Sequence, residues 1–177
     1  MVDQFVAPGS RVWWALVCLA AFGRVMDLGS TWIATPNLEL EGNPIARKLG
    51  WKGGIALNAL LVPAFACWPL LAISLTTTSL LVAARNCQNA WLMRSLGESA
   101  YRQWFSRQVV ASPRWLVRGA YLMESLLTAI VGVCLMVFSS WALVPFGIGL
   151  GMTGYAAAIA VFTALGLRKR RCQFIDQ

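Results

Sequence analysis

The residues best suited to chemistry lie near the end of the first apolar segment. Arg24 and Asp27 are three positions apart, and Asp27 and Thr31 are four apart, so all three side chains share one helical face. A charge inside a bilayer costs roughly 3 kcal/mol on insertion scales, and such residues therefore usually face a bundle interior. Two interpretations follow. Arg24 and Asp27 form either a salt bridge that fixes helix packing or a small polar functional site.

The loop after this segment carries further oxygen ligands. Glu41 and Asn43 follow Thr31 closely enough to fold back toward Asp27, and hard cations prefer carboxylate and amide oxygens. Asp27, Glu41 and Asn43 are therefore a candidate metal site, and Mg²⁺ or Ca²⁺ are the cofactors that the sequence suggests. In the alternative interpretation Glu41 is a solvated loop residue and Asn43-Pro44 starts an ordinary turn. The chain has no His and its five Cys are far apart, so zinc and haem sites are not indicated.

These positions also form a recognisable motif. Asp27 and Thr31, followed by Glu41, Asn43 and Pro44, give the pattern Asp-x-x-x-Thr and then Glu-x-Asn-Pro. In this pattern the chain resembles a group of small uncharacterised prokaryotic multi-pass membrane proteins. The resemblance covers about residues 23–49. It implies a membrane protein with a polar motif and supplies no reaction.

Other polar residues interrupt the later apolar segments. Glu124 completes a site with Asp27 or Asn58, pairs with Arg118, or makes a structural hydrogen bond; the spacing is compatible with all three. The candidate intramembrane polar residues are therefore Arg24, Asp27, Thr31, Glu41, Asn43, Asn58 and Glu124.

A second group lies at the predicted inner end of the second apolar segment and suits contact with lipid. Arginine and asparagine side chains there could bind a lipid phosphate, although anchoring at the headgroups is the more common role. This group comprises Arg85, Asn86, Asn89 and Arg94.

Small residues recur on one face of the last apolar segment. Gly147 and Gly151 have the Gly-x-x-x-Gly spacing, and Gly154 continues the stripe. Such a stripe is typical of close helix contact, either inside the chain or with a partner subunit.

The composition of the chain indicates a membrane protein. Of 177 residues, 58% are hydrophobic and 12% are charged, and the charges collect in short stretches between long apolar runs. A crossing needs roughly 20 helical residues. We predict one all-α domain with four transmembrane helices, at about residues 12–34, 55–84, 115–138 and 146–167. The second run exceeds one crossing, so Pro63 and Pro69 kink it or its first part lies at the interface.

The stretch between the second and third predicted spans has a helical pattern of its own. Apolar and aromatic residues such as Met93, Tyr101 and Trp104 recur at three- and four-residue steps between arginines. This pattern predicts an amphipathic helix in the headgroup region over about residues 86–110. A cytoplasmic connector packed on the bundle explains the pattern equally well.

The distribution of basic residues predicts an orientation. With four spans and both termini in the cytoplasm, most Lys and Arg fall on the cytoplasmic side of the inner (plasma) membrane, as the positive-inside rule requires. The residues then placed outside are Arg47, Lys48 and Lys52. Those placed inside are Arg11, Arg85, Arg94, Arg102, Arg107, Arg114, Arg118, Arg168, Lys169, Arg170 and Arg171.

Two functions fit these observations. The first is a non-enzymatic module that handles an ion or small molecule, or an accessory subunit; its partners are the lipid bilayer and a second copy or larger membrane complex. The net charge of +8 does not indicate nucleic acid, because the basic residues flank apolar segments. The alternative is a Mg²⁺-dependent membrane enzyme acting on a lipid or isoprenoid phosphate, which Arg85 or Arg94 would hold. The predicted orientation separates those arginines from Asp27 by the width of the membrane.

Overall fold

The computed structural model describes the backbone of residues 4–175 and the side chains of residues 4–164. Over this part of the chain the protein is all-helical and contains no strand. Six helices follow one another: α1 (Arg11–Ala34), α2 (Pro44–Phe65), α3 (Pro69–Leu96), α4 (Glu98–Ala111), α5 (Arg114–Phe138) and α6 (Leu143–Ile175).

Four of these helices are long and apolar enough to cross a membrane. They are α1, α3, α5 and the part of α6 from Leu143 to Ala164. The predicted all-α class is therefore confirmed, and the number of helices long and apolar enough to cross a membrane is the predicted four. The location of α4 in the headgroup region stays a prediction.

The helix boundaries differ from the predicted ones in the second apolar run. Residues 55–84 are not one helix, because α2 ends at Phe65 and α3 begins at Pro69. Trp68 has an extended backbone (φ −127°, ψ 107°), the conformation that a following proline favours. The predicted connector at 86–110 is divided too. Its first part belongs to α3, and Gly97, with φ 80°, separates α3 from α4.

The backbone of α2 contains a sharp break. Gly50 has φ 64° and ψ −174°, a conformation that interrupts the helix and that glycine adopts without steric cost. The side chain of Asn43 caps the first turn, and Pro44 occupies the first helical position, where its missing N–H removes no bond. The break separates Arg47 and Lys48 from the rest of α2, which is mainly apolar after Lys52.

Contacts along α1 and α3 show that these two helices are parallel. Near the middle of α1, Arg24 Nη1 donates to Ser79 Oγ at 3.1 Å. Two turns later, Asn86 Nδ2 donates to Thr31 Oγ1 at 2.9 Å. Residue numbers therefore increase in the same direction along both helices.

The chain returns between α1 and α3 through α2. Trp13 Nε1, near the start of α1, donates to the carbonyl oxygen of Pro63 at 3.2 Å. Trp51 Nε1, near the start of α2, donates to the carbonyl oxygen of Pro36 at 2.7 Å, just after α1 ends. Consequently α2 runs antiparallel to α1 and brings the chain back to the level at which α1 began.

The last two helices complete the bundle around α3. Ser74 Oγ donates to Gly147 O at 3.1 Å and Thr78 Oγ1 to Gly151 O at 2.9 Å, so α6 is parallel to α3. The short turn at 139–142 makes α5 antiparallel to α6. We call the level where α1, α3 and α6 begin the Arg11 end, and the level of α4 and the α1–α2 loop (35–43) the α4 end.

Glycine allows the close approach of α6 to α3 and α5. A Cβ atom at Gly151 would lie 2.7 Å from the carbonyl oxygen of Ser74, and one at Gly147 would lie 2.9 Å from Ile73 Cγ2. A Cβ at Gly154 would meet nothing within 4 Å. The three glycines of the predicted small-residue stripe therefore differ: Gly147 and Gly151 face α3, and Gly154 does not. Gly132 of α5 and Gly149 make a further close contact that the stripe did not include.

Candidate functional site

Three helices meet at the guanidinium group of Arg24. On α1, Arg24 Nη1 forms a salt bridge with Asp27 Oδ2 at 2.5 Å. From α2, Asn58 Oδ1 accepts a bond from Arg24 Nε at 2.5 Å, and from α3, Ser79 Oγ accepts one from Nη1 at 3.1 Å. The cluster therefore joins two of the predicted site residues to Asp27 and adds Ser79, which was not predicted.

This cluster is largely enclosed at the middle of α1. The Arg24 and Asp27 side chains are 23% and 14% exposed. The salt bridge balances the two charges locally. Glu41 and Asn43 bond to each other and to the start of α2, and the predicted fold-back of this loop onto Asp27 stays a prediction.

Polar contacts continue from this cluster toward the α4 end. Asn86 Nδ2 donates to Thr31 Oγ1 at 2.9 Å and to Ser30 Oγ at 3.3 Å, and both hydroxyl-bearing residues are buried. We call the whole row of polar side chains between α1, α2 and α3 the polar seam; its members are Arg24, Asp27, Ser30, Thr31, Asn58, Ser79 and Asn86.

A buried carboxylate, Glu98, lies at the α4 end, where it holds the α1–α2 loop. The Glu98 side chain is buried and accepts bonds from the Thr35 hydroxyl, from the Asn37 backbone N–H at 2.8 Å and from the Glu39 backbone N–H at 2.9 Å. Burial disfavours the charged carboxylate, but these hydrogen bonds favour it more, and the pKa of Glu98 lies below its usual value. Glu98 therefore fastens the α1–α2 loop to the start of α4. Arg102, one turn later, donates to the carbonyl oxygen of Glu39.

A pocket of about 240 Å³ lies beside this loop, where α1, α3 and α4 meet. Its walls include Ala34, Asn37, Arg94 and Glu98. The Arg94 guanidinium is exposed and lies 6.0 Å from the centre of the Trp32 ring. Arg94 and the α1–α2 loop are therefore at the same end of the bundle, whereas four alternating spans would separate them.

The predicted metal ligands have other partners in the structure. Asn43 Oδ1 caps α2 by accepting from Ile45 N at 2.9 Å, and Asn43 N donates to Glu41 Oε1 at 2.8 Å. Among residues 4–164, no three Asp, Glu, Cys or His side chains group together as metal ligands would. A Mg²⁺ or Ca²⁺ site at Asp27, Glu41 and Asn43 stays a prediction.

Glu124 belongs to a separate charge pair. Arg85 Nη1 on α3 and Glu124 Oε1 on α5 are 2.9 Å apart, and the Arg85 guanidinium lies 5.8 Å from the centre of the Tyr121 ring. The structure thus joins Glu124 to Arg85 and not to Asp27, Asn58 or Arg118. The two charge pairs lie on different faces of α3.

The structure also divides the four residues predicted to contact lipid phosphate. Asn86 bonds to α1 inside the polar seam, and Arg85 pairs with Glu124. Only Asn89 and Arg94 have exposed side chains.

Two residues of the site were missed from the sequence, although each carries a signal. Ser79 lies seven positions before Asn86, a spacing that returns to the same face of a helix after two turns. Glu98 directly follows Gly97, a residue type that often marks a helix end. The carboxylate after such a break is well placed to bond a neighbouring loop.

Comparison of the chain with protein-family models, with curated proteins and with solved structures found no match.

Proposed function

We propose that this chain is a non-enzymatic membrane protein that handles a small cation at the polar seam. The observation that carries the proposal is the contact of Arg24 with Asp27, Asn58 and Ser79, which brings one charged group of α1 against two other helices. A polar group within a helical bundle is a common element of ion and proton pathways.

The extent of the polar seam favours a pathway over a packing device. A salt bridge that only fixed α1 would need Arg24 and Asp27, and replacing a buried ion pair by apolar residues is often neutral or stabilising. Here, instead, hydroxyl and amide groups continue at Thr31 and Asn86, and Thr31 lies one helical turn before the loop that Glu98 holds. Such a row provides the hydrogen-bonding groups that a hydrated ion or a proton needs inside hydrocarbon.

The chemistry of the cluster points to a proton or a monovalent cation. Asp27 is its only carboxylate and is already paired with Arg24, whereas divalent ions prefer several acidic oxygens. A proton or small cation reaching Asp27 competes with Arg24 for the carboxylate. Asp27 is therefore the residue on which transfer would depend.

Proton flux into liposomes tests this proposal. The purified chain is reconstituted with the pH-sensitive dye pyranine inside, a potassium gradient and valinomycin set the potential, and acidification of the lumen is recorded. We expect flux above that of empty liposomes, and Asp27→Asn should reduce it at least tenfold. Glu124→Gln, which removes the other intramembrane acid, is the matched control and should retain it. Flux equal to empty liposomes for the unaltered chain, or equal flux in Asp27→Asn, contradicts proton transfer at Asp27, provided that each protein elutes as one folded species.

We also propose that the α4 end faces the cytoplasm and that the chain crosses the membrane five times, with α2 as the additional short crossing. The parallel directions of α1 and α3 support this count, because α2 must return the chain between them. In the described chain Arg11 is the only basic residue at the Arg11 end. The basic residues at the α4 end are Arg47, Lys48, Lys52, Arg94, Arg102, Arg107, Arg114 and Arg118.

This orientation replaces the one predicted from four spans. Both termini can no longer be cytoplasmic, since an odd number of crossings puts them on opposite sides. The positive-inside rule is satisfied better, because Arg47, Lys48 and Lys52 join the cytoplasmic side instead of contradicting it. The polar seam then opens toward the cytoplasm of a cell whose inner (plasma) membrane holds the protein.

Labelling of single cysteines separates the two orientations. In a chain whose own cysteines are replaced by alanine, Gln4→Cys, Gly42→Cys and Gln108→Cys are exposed in turn to a membrane-impermeant maleimide, with intact and permeabilised cells compared. Five crossings predict that Gln4→Cys reacts in intact cells and that the other two react only after permeabilisation. Four crossings predict that Gly42→Cys alone reacts in intact cells. That second pattern would contradict our proposal.

The location of α4 follows from the same orientation. Tyr101 is buried, and its ring stacks on that of Phe105 with 5.9 Å between the ring centroids. Arg102 and Arg107, in contrast, have exposed side chains. We therefore propose that α4 packs on the bundle through its aromatic face and meets anionic headgroups through its arginines.

One observation favours a second function, a Mg²⁺-dependent enzyme acting on a lipid or isoprenoid phosphate. Arg94, a wall of the 240 Å³ pocket, lies at the same end as Glu41, so one substrate could meet both. Release of inorganic phosphate from phosphatidate or farnesyl phosphate, in Mg²⁺ and in EDTA, tests this function. Mg²⁺-dependent release that Arg94→Gln abolishes would support it; no release would exclude these substrates.

A further inference from the structure

A second charge pair lies on the side of the bundle. Arg85 of α3 and Glu124 of α5 are 2.9 Å apart, and their side chains are 29% and 40% exposed. Glu124 lies about 15 Å along α5 from its start, at the usual rise per helical residue, and so is deep within the span. The pair therefore presents two opposite charges on the lateral surface of a helix that spans hydrocarbon.

The surroundings of this pair are unlike those of the polar seam. Arg24 bonds to Asn58 and Ser79 in addition to its carboxylate, and Asp27 is only 14% exposed. Arg85 bonds to one carboxylate oxygen and to the side chain of Tyr155 on α6, and it lies over the face of the Tyr121 ring. Glu124 is the less satisfied partner, because its side chain is the more exposed of the two. A carboxylate whose side chain is 40% exposed on the surface of a span loses the hydration that it would have in water, and one salt bridge does not compensate for this loss. The Arg85 and Glu124 side chains are thus more stable when another polar surface covers them and supplies further hydrogen bonds.

We propose that the Arg85–Glu124 pair forms the centre of an interface between two copies of this chain. Charge complementarity is the reason for choosing a second copy. A positive and a negative group side by side become self-complementary under a two-fold axis, because Arg85 of one copy then meets Glu124 of the partner subunit. Each Glu124 carboxylate gains a second donor and each Arg85 guanidinium a second carboxylate, and both leave the lipid.

The exposed residues around Glu124 define the face that this interface covers. Ala120 and Leu127 lie one turn before and one turn after Glu124 on the same face of α5, and both are exposed. Leu122 is also exposed, at 67%, but lies on the opposite face of the helix. Substitutions at Ala120 and Leu122 therefore sample two faces of one helix at nearly the same depth.

Disulfide crosslinking in membranes tests the interface. In the chain whose own cysteines are replaced by alanine, Ala120→Cys should form a crosslinked dimer with copper phenanthroline, at least fivefold more than Leu122→Cys. Adding Glu124→Gln to Ala120→Cys should reduce the dimer at least fivefold. The double exchange Arg85→Glu with Glu124→Arg, which keeps the complementary pair, should restore it.

Several outcomes would overturn the dimer. Equal crosslinking at Ala120→Cys and Leu122→Cys would show random collision, and this comparison holds even if a charge variant does not fold. A crosslinked species of another mass would show a different protein on this face, and a monomer at both positions would leave the face to lipid. Because Asp27→Asn is not used here, the dimer and the proposed cation pathway can fail independently.

Discussion

A single added methyl group at Gly151 should separate α6 from α3. The Cβ atom of Gly151→Ala would lie 2.7 Å from the carbonyl oxygen of Ser74 and 2.7 Å from Thr77 Cβ. Backbone and Cβ atoms cannot rotate away, so the two helices must move apart by several tenths of an ångström. The hydrogen bond from Thr78 Oγ1 to Gly151 O, now 2.9 Å, would lengthen as well.

The expected magnitude follows from two opposing contributions. Overpacking of a close contact costs about 1 to 3 kcal/mol. Alanine recovers up to about 1 kcal/mol over glycine within a helix. We therefore expect Gly151→Ala to lower the free energy of unfolding by about 1 to 2 kcal/mol. At Gly154 an added Cβ meets nothing within 4 Å, so Gly154→Ala should leave stability unchanged or raise it by up to about 1 kcal/mol.

Unfolding in mixed micelles measures this difference. The fraction of sodium dodecyl sulfate that unfolds half of the protein is determined by circular dichroism for the unaltered chain, Gly151→Ala and Gly154→Ala. The two variants carry the same substitution three residues apart in one helix, so they differ only in what the new methyl group meets. If both shift the midpoint equally, the close packing of α6 on α3 described above is refuted.

Two further predictions concern the α4 end. Because hydrogen bonds lower the pKa of Glu98, its stabilising contribution is complete above the pKa of an unfolded glutamate and is lost as pH falls through the folded pKa. Hydrogen exchange of the Asn37 and Glu39 amides, corrected for intrinsic rates, should therefore accelerate below about pH 4. In Glu98→Gln these amides should exchange fast at neutral pH already. Unchanged exchange would contradict the role of Glu98 in holding the α1–α2 loop. Asn43→Ala should lower stability by about 1 kcal/mol through loss of the cap of α2, whereas Asn43→Ser should retain most of it. A Mg²⁺-dependent stability that Asn43→Ser abolishes would instead support a metal ligand.

The membrane class was readable from the sequence because it depends on long apolar runs, which need no knowledge of packing. The Arg24–Asp27 salt bridge was also readable, since three residues of helix bring the two side chains together. The break at 66–68 was harder to predict. Pro63 lies inside α2 and Pro69 begins α3, so two prolines in similar apolar surroundings have different effects on the helix.

The contacts between helices could not be predicted from the sequence. The orientation was derived from the number of spans. Hydropathy does not identify α2 as a span, because Gly50 and three basic residues interrupt its first part. The bonds that Trp13, Arg24 and Trp51 make between the two helices and their ends reveal that α2 lies antiparallel to α1. For the same reason Glu124 had three plausible partners in the sequence, and its actual partner, Arg85, was assigned to lipid phosphate.

The break at Gly50 has a consequence for the lipid around the protein. Beyond it, α2 continues only from Trp51 to Phe65, a length of about 22 Å at the usual helical rise. A bilayer core is about 30 Å thick, so if α2 crosses the membrane as we propose, it is shorter than the hydrocarbon by several ångströms. The bilayer beside α2 would then have to thin, whereas α1 and α5 are long enough for its full thickness. In that arrangement a membrane of short-chain lipids accommodates the protein with less elastic distortion than a thick, sterol-rich one.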